Sequence, residues 1–189
     1  MRKLSTGELV AKKPKIEEFL KQKRNPVYVV LNNIRSLENV GLIFRLCDAL
    51  LVEKLYLTGI TGYPALGKKD SRPKEIISHA EKEITKTAIW TIDYVPWEYQ
   101  KDAVGLIENL KKKGVQIIAL EQTDRSKPYN KISPNFPVCI VLGHEREGIE
   151  NPVLKLADEI IEIPIYGMGN SLNVATSLAI VGYHYIWQV

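Results

Sequence analysis

The stretch VCIVLGHEREG, residues 138–148, decides the fold. It opens on an unbroken apolar run of strand length and then breaks abruptly into charge between two glycines. A strand with no polar side to offer to water has to be covered on both faces. VQIIAL (115–120) and EIIEIPI (159–165) have the same character. VYVVL (27–31) and KLYLT (54–58) read as two earlier strands, and IWTIDYV (89–95) is a further candidate. Helical patterns fall between them. In NVGLIFRLCDALL (39–51) the residues Val40, Ile43, Phe44, Cys47 and Leu51 recur at helical spacing. The glycine- and lysine-rich GITGYPALGKKDSRPKE reads as a loop, with a helical stretch after it to about Ile84. EYQKDAVGLIENLKKKG (98–114) reads as an amphipathic helix stopped by Gly114. Buried strands alternating with helices predict an α/β fold, a parallel sheet flanked by helices.

Composition sets the outer bounds. With 189 residues, 45% hydrophobic and 25% charged, the chain suits one good core and one domain with an appendage. No apolar run approaches the ~20 residues of a membrane span, so no membrane partner is expected. MRKLSTGELVAKKPK lacks the apolar core of a secretory signal, and the expected address is cytoplasmic. Cys47 and Cys139 lie in apolar surroundings without metal-like spacing, which reads as buried thiols in a reducing compartment. Neither a metal nor a disulfide is expected.

The net charge of +4 is unevenly placed. Residues 1–26 hold eight Lys/Arg against Glu8, Glu17 and Glu18, a surplus of five, so the remaining 18 cations and 19 anions stand at −1. This predicts a basic N-terminal arm (1–26) on a nearly neutral body (27–189). Such an arm is an electrostatic footprint for nucleic acid, or equally a solvated leader.

Ligands of open parallel sheets sit beyond the carboxyl ends of the strands. Four of those ends carry polar or glycine-rich chemistry: NNIRSLENVGLIFR, EQTDRS, GHEREG and YGMGNSLN. The last echoes a dinucleotide fingerprint. It lacks the third glycine, follows the final strand, and has no acidic residue about 20 positions on. A nicotinamide enzyme is therefore a poor reading, and a phosphate loop of the GK[ST] type is absent from the sequence.

Taken together, NNIRSLENVGLIFRLCDAL, IVLGHEREGI and IPIYGMGNSLNVATSLAIVGYHY resemble the three ordered motifs of the SpoU/TrmH-like branch of the SPOUT RNA methyltransferases. The resemblance covers the chain from about Val27 to its end. It implies a C-terminal trefoil knot, S-adenosylmethionine (AdoMet) bound in the knotted loops, and a homodimer whose active sites span the subunit interface. The implied activity is methyl transfer to a ribose 2′-hydroxyl of tRNA or rRNA, with tRNA slightly favoured by the compact body and short arm. A non-catalytic RNA-binding protein of the same fold is the alternative.

The family pattern falls on Asn39 and Arg45, on Glu145, and on Ser171 and Asn173. Arg45 sits in an otherwise apolar helix, where an unpaired charge would be costly. It reads as a fork for an RNA phosphate or as a snorkelling surface cation. A guanidinium is a poor base, so positioning is its expected role. Asn39, Ser171 and Asn173 also suit helix N-caps. Glu145, between glycines, can hold Asn or Arg partners in place. His144 departs from the Asn frequent at its position in the family and is assigned no chemistry. For the cofactor, Leu120, Leu142, Gly143, Ile163, Ile165 and Leu172 have the apolar character that adenine requires, with backbone groups to read it. The final helix is apolar nearly all round and needs two partners, its own sheet and, as the resemblance implies, its counterpart in a second subunit. Ala179 and Gly182 would permit close approach.

Overall fold

The computed structural model describes all of residues 1–189. Two short helices, α1 (Thr6–Ala11) and α2 (Ile16–Leu20), precede the body and bury no residue. The body then runs β1 (Asn25–Asn32), α3 (Leu37–Ala49), β2 (Val52–Thr58), α4 (Lys74–Ala88), β3 (Trp97–Gln100) and α5 (Ala103–Lys112). It continues with β4 (Gln116–Leu120), β5 (Lys127–Pro128), β6 (Val138–Gly143), α6 (Asn151–Leu154), β7 (Glu159–Glu162) and α7 (Val174–Ile186).

The seven strands form one sheet in the order β3-β2-β1-β6-β4-β7-β5, and every pairing is parallel. The apolar runs explain why both faces are covered. Val27, Val29 and Leu31 of β1 and Val138, Ile140 and Leu142 of β6 point into the larger core, which α3, α4 and α7 close. Val30, Cys139 and Val141 point the other way, into a smaller core closed by α5 and α6. Strand alternation thus assigns successive residues to different cores. Cys47 lies in the first and Cys139 in the second, and burial pushes both thiols up. No helix is long and apolar enough to cross a membrane.

Three expectations about elements need correction. IWTIDYV is not a strand. α4 continues to Ala88, Ile89 caps it with φ +61°, and Thr91–Asp93 form a 3-10 turn in which Thr91 Oγ1 donates to Ala88 O. The strand lies instead at Trp97–Gln100, so EYQ belongs to β3 and the helix begins only after the N-cap Asp102. β1 begins at Asn25, two residues before the apolar run. Gly182, which the sequence offers for close approach of a second helix, is buried. It faces Leu50 of its own chain, where a Cβ would lie 2.6 Å from Leu50 Cδ1, so its smallness serves the α3–α7 contact.

At the carboxyl edge the strand ends are tied to one another. Asn33, with φ +64°, turns the chain out of β1, and its Oδ1 accepts from Ile60 N–H at 3.0 Å. Thr61 Oγ1 donates to Leu31 O and accepts from Ile34 N–H. These bonds set the start of α3 against the loop after β2.

Candidate active site

A cleft of about 510 Å³ opens beyond the ends of β4, β6 and β7. Leu120, Leu142, Gly143, Ile163, Ile165 and Leu172 all line it. Glu145, Ser171 and Asn173 lie on its wall, whereas Asn39 stands behind that wall and Arg45 lies outside.

Behind the wall is a chain of hydrogen bonds whose direction is set from both ends. Glu145 Oε1 accepts from Asn39 Nδ2 at 2.8 Å and from Ser36 N–H at 3.0 Å, and Oε2 accepts from Arg35 N–H at 3.0 Å. A carboxylate only accepts, so the amide nitrogen of Asn39 has to face it. That turns Asn39 Oδ1 toward Asn173, whose Nδ2 donates to it at 2.9 Å. Asn173 Oδ1 is then free to cap α7, accepting from Ala175 N–H at 2.9 Å and Thr176 N–H at 3.3 Å. One relay joins the starts of α3 and α7 to the loop after β6. Burial alone would raise the Glu145 carboxyl, but the bonds from Arg35, Asn39 and Ser36 outweigh it and hold the group below the ordinary glutamate value.

The N-cap expectations divide. Asn173 is the cap of α7. Asn39 is not a cap, because Ser36 fills that position in α3 and accepts from Asn39 N–H at 3.2 Å. Ser171 lies in the exposed segment before α7 and caps nothing. Arg45 is exposed on the solvent side of α3 with no side-chain hydrogen bond or ion pair, so burial in an apolar helix is not what constrains it. Six residues of α-helix place it about 9 Å along the axis from Asn39.

Several residues of the site were missed by sequence reasoning. Glu121 lines the cleft, and its Oε2 accepts from Ile149 N–H at 2.8 Å, pinning the far end of the GHEREG loop. A Cβ at Gly148 (φ +70°) would meet that oxygen at 2.3 Å, which accounts for the second glycine. The first, Gly143, lies under the backbone of Gly148 and Ile149, with a Cβ only 2.2 Å from Ile149 N. Fully buried Asn32 and exposed Glu150 bond reciprocally, Asn32 Nδ2 to Glu150 Oε1 at 2.8 Å and Glu150 N–H to Asn32 Oδ1 at 3.0 Å. Gln122 Nε2 donates to Asn170 O at 2.8 Å, linking the loop after β4 to the segment before α7. The signals available were the polar EQTDRS and NN at strand ends, which show where chemistry gathers but not who pairs with whom.

His144 also has a definite part. Its Nδ1 accepts from Arg146 N–H at 3.0 Å and Glu147 N–H at 3.2 Å. An accepting Nδ1 carries no proton, which assigns the ring hydrogen to Nε2. The ring thereby closes the turn that presents Glu145.

The cleft combines apolar walls with three carboxylates, of Glu121, Glu145 and Glu162, against the one guanidinium of Arg146, and with the exposed main chain of residues 166–173. That composition fits a flat heteroaromatic ring joined to a cationic group, as in AdoMet. A family model described as the SpoU rRNA Methylase family matches residues 26–183. The chain belongs to the SpoU rRNA Methylase family. A tRNA (guanosine(18)-2′-O)-methyltransferase of Aquifex aeolicus is 30% identical over 169 residues, covering 89% of this chain and 72% of that protein. The crystal structure of an A. aeolicus TrmH/SpoU tRNA modifying enzyme aligns with TM-score 0.68 at 28% identity, covering 90% of this SpoU member and 79% of that chain. An AdoMet-bound rRNA methyltransferase from Sinorhizobium meliloti shares the fold with TM-score 0.74 at 22% identity, over 90% of this chain and 60% of that one.

Proposed function

We propose that this SpoU member transfers the methyl group of AdoMet to a ribose 2′-hydroxyl of RNA, with tRNA the favoured substrate. The observation that carries the reading is the Glu145–Asn39–Asn173 relay set against a nucleoside-sized cleft. The names of the A. aeolicus relatives support tRNA over rRNA. Bound AdoMet would supply an electrophilic sulfonium methyl. Leu120, Leu142, Ile163, Ile165 and Leu172 would hold its adenine, with the main chain around Gly143 reading the ring edge.

The chain's own residues then do the positioning. Glu145 is committed to three donors, which suits an orienting group better than a proton acceptor. Asn173 and exposed Ser171 border the cleft where a ribose would enter. Arg45, free of partners, grips a phosphate beside the target ribose and offsets charge developing on the attacking oxygen. Its place outside the cleft of its own chain favours a homodimer in which Arg45 serves the other subunit. Tyr183 and Trp187, exposed at the end of α7, supply apolar surface for that contact. The threading of the C-terminal segment into a trefoil knot, the basic arm 1–26 as an RNA contact and cytoplasmic action belong to the same reading.

The test is transfer of labelled methyl from AdoMet to total tRNA and, separately, to rRNA. Label recovered in an alkali-resistant dinucleotide supports ribose methylation and names the RNA class. A folded protein that binds AdoMet and labels neither pool would point to the non-catalytic RNA binder.

A further inference from the structure

Beside the main cleft lies a second one of about 290 Å³, whose wall consists of Arg35, Ser36, His144, Glu145 and Arg146 without a single apolar residue. His144, Glu145 and Arg146 line both clefts, so the two flank the GHEREG loop. Neither Arg35 nor Arg146 uses its guanidinium anywhere in the fold: only their backbone N–H groups are engaged, with Glu145 and His144. Glu145 is the one acid on this wall, and both its oxygens are already satisfied by Arg35 N–H, Ser36 N–H and Asn39 Nδ2. His144 adds a donor, because its Nδ1 is committed to the turn and its Nε2–H has no partner.

Two unpaired guanidinium forks, an imidazole N–H and a carboxylate already satisfied by three donors suit an anion with several oxygens. We propose that this cleft binds a phosphodiester of the RNA substrate, holding the backbone next to the nucleotide whose ribose enters the main cleft. The assignment rests on the methyltransferase reading and deepens it. Its backbone contact is made by Arg35 and Arg146 and is separate from that of Arg45, which lies further along α3. Phosphate contacts of this kind fix register without reading sequence. Their place on the loop that carries Glu145 couples a seated backbone directly to the relay.

The experiment measures anisotropy of fluorescently labelled tRNA against KCl concentration, with AdoMet affinity taken separately by calorimetry. Arg35→Ala/Arg146→Ala should weaken tRNA binding about tenfold or more and reduce the slope of log K against log salt by roughly 1.5–2, as loss of two phosphate contacts requires. AdoMet affinity should change far less than tRNA affinity. Arg35→Lys/Arg146→Lys should keep nearly the full slope, because the charge remains, while affinity falls with loss of the fork. The control, Lys112→Ala/Lys113→Ala, removes equal charge at the end of α5, by the opposite edge of the sheet, and should bind as wild type does. An unchanged slope in the arginine-to-alanine variant, or an equal loss in the lysine control, overturns the phosphodiester cleft while leaving ribose methylation standing. A wild type that binds no RNA at any salt overturns both.

Discussion

Asn173 serves two ends at once, and two substitutions separate them. Asn173→Ala removes the cap of α7 as well as the bond to Asn39. It should cost about 1 kcal/mol in urea denaturation, together with most of the methyl transfer. Asn173→Asp keeps the cap but places an acceptor against Asn39 Oδ1. Stability should stay near wild type while transfer falls about tenfold or more, since small misplacements of a reacting group are costly. Glu145 gives the relay a pH signature. Its folded carboxyl lies below the ordinary glutamate value, so its contribution to stability is present above roughly pH 4.3 and is lost as pH falls through the lower folded value. Glu145→Gln should flatten that acid limb of the stability profile and be destabilised at neutral pH, where an amide N–H would face donors. An acid limb identical to wild type would show that the three bonds do not form in solution. His144 illustrates what a side chain type hides. The sequence assigns it no chemistry, and geometry commits Nδ1 to two backbone N–H groups, as a side-chain amide oxygen could be. His144→Asn should therefore retain more transfer than His144→Leu.

At the scale of elements, close backbone approach explains where substitution is costly. Gly41 of α3 faces α4 so closely that a Cβ would lie 2.3 Å from Ile84 O. Backbone cannot yield as a flexible side chain can, so Gly41→Ala should cost about 1–3 kcal/mol in denaturant unfolding. The stretch after β2 reads from its composition only as a loop, and the structure shows it locked. Arg72 donates to Asp70 at 2.7 and 2.9 Å and to Tyr63 O and Pro64 O, and its guanidinium lies 3.5 Å from the centre of the Tyr63 ring. Tyr63 in turn stacks on Tyr99 of β3. The Arg72 guanidinium holds the Asp70 carboxyl well below the usual range. Arg72→Ala should free this segment locally, and limited trypsin digestion at Lys68 and Lys69 should accelerate several-fold. An unchanged cleavage rate would mean that the loop is held by other contacts.

For the whole molecule, the arm is loosely attached. α1 and α2 bury nothing, and the joint is made by Phe19 edge-on to Tyr94 and by Arg24 donating to Val52 O and Tyr94 O. Removing residues 1–22 keeps Arg24 and should weaken RNA binding and flatten its salt dependence while leaving AdoMet affinity intact. Unchanged RNA affinity would make the arm a solvated leader. Light scattering checks the assembly: a mass twice the 21.4 kDa of one chain is expected. Much of this architecture was legible in the amino-acid order, because β-branched runs such as VCIVL have no face to give to water and demand cover on both sides. The motif order resembled one family for the same chain-local reason, and it brought Asn39, Arg45, Glu145, Ser171 and Asn173 forward as a set. IWTIDYV misled because a short apolar run does not reveal where a preceding helix stops. What only tertiary structure decided were the partners. Residues 39, 145 and 173 are far apart in the chain, and no periodicity states that one carboxylate orients two amides in series. Arg45 and Arg72 differ for the same reason, one free on a helix surface and the other spent locking a loop. Side-chain type sets what a group can bond, and the fold alone brings the donor within 3 Å of its acceptor.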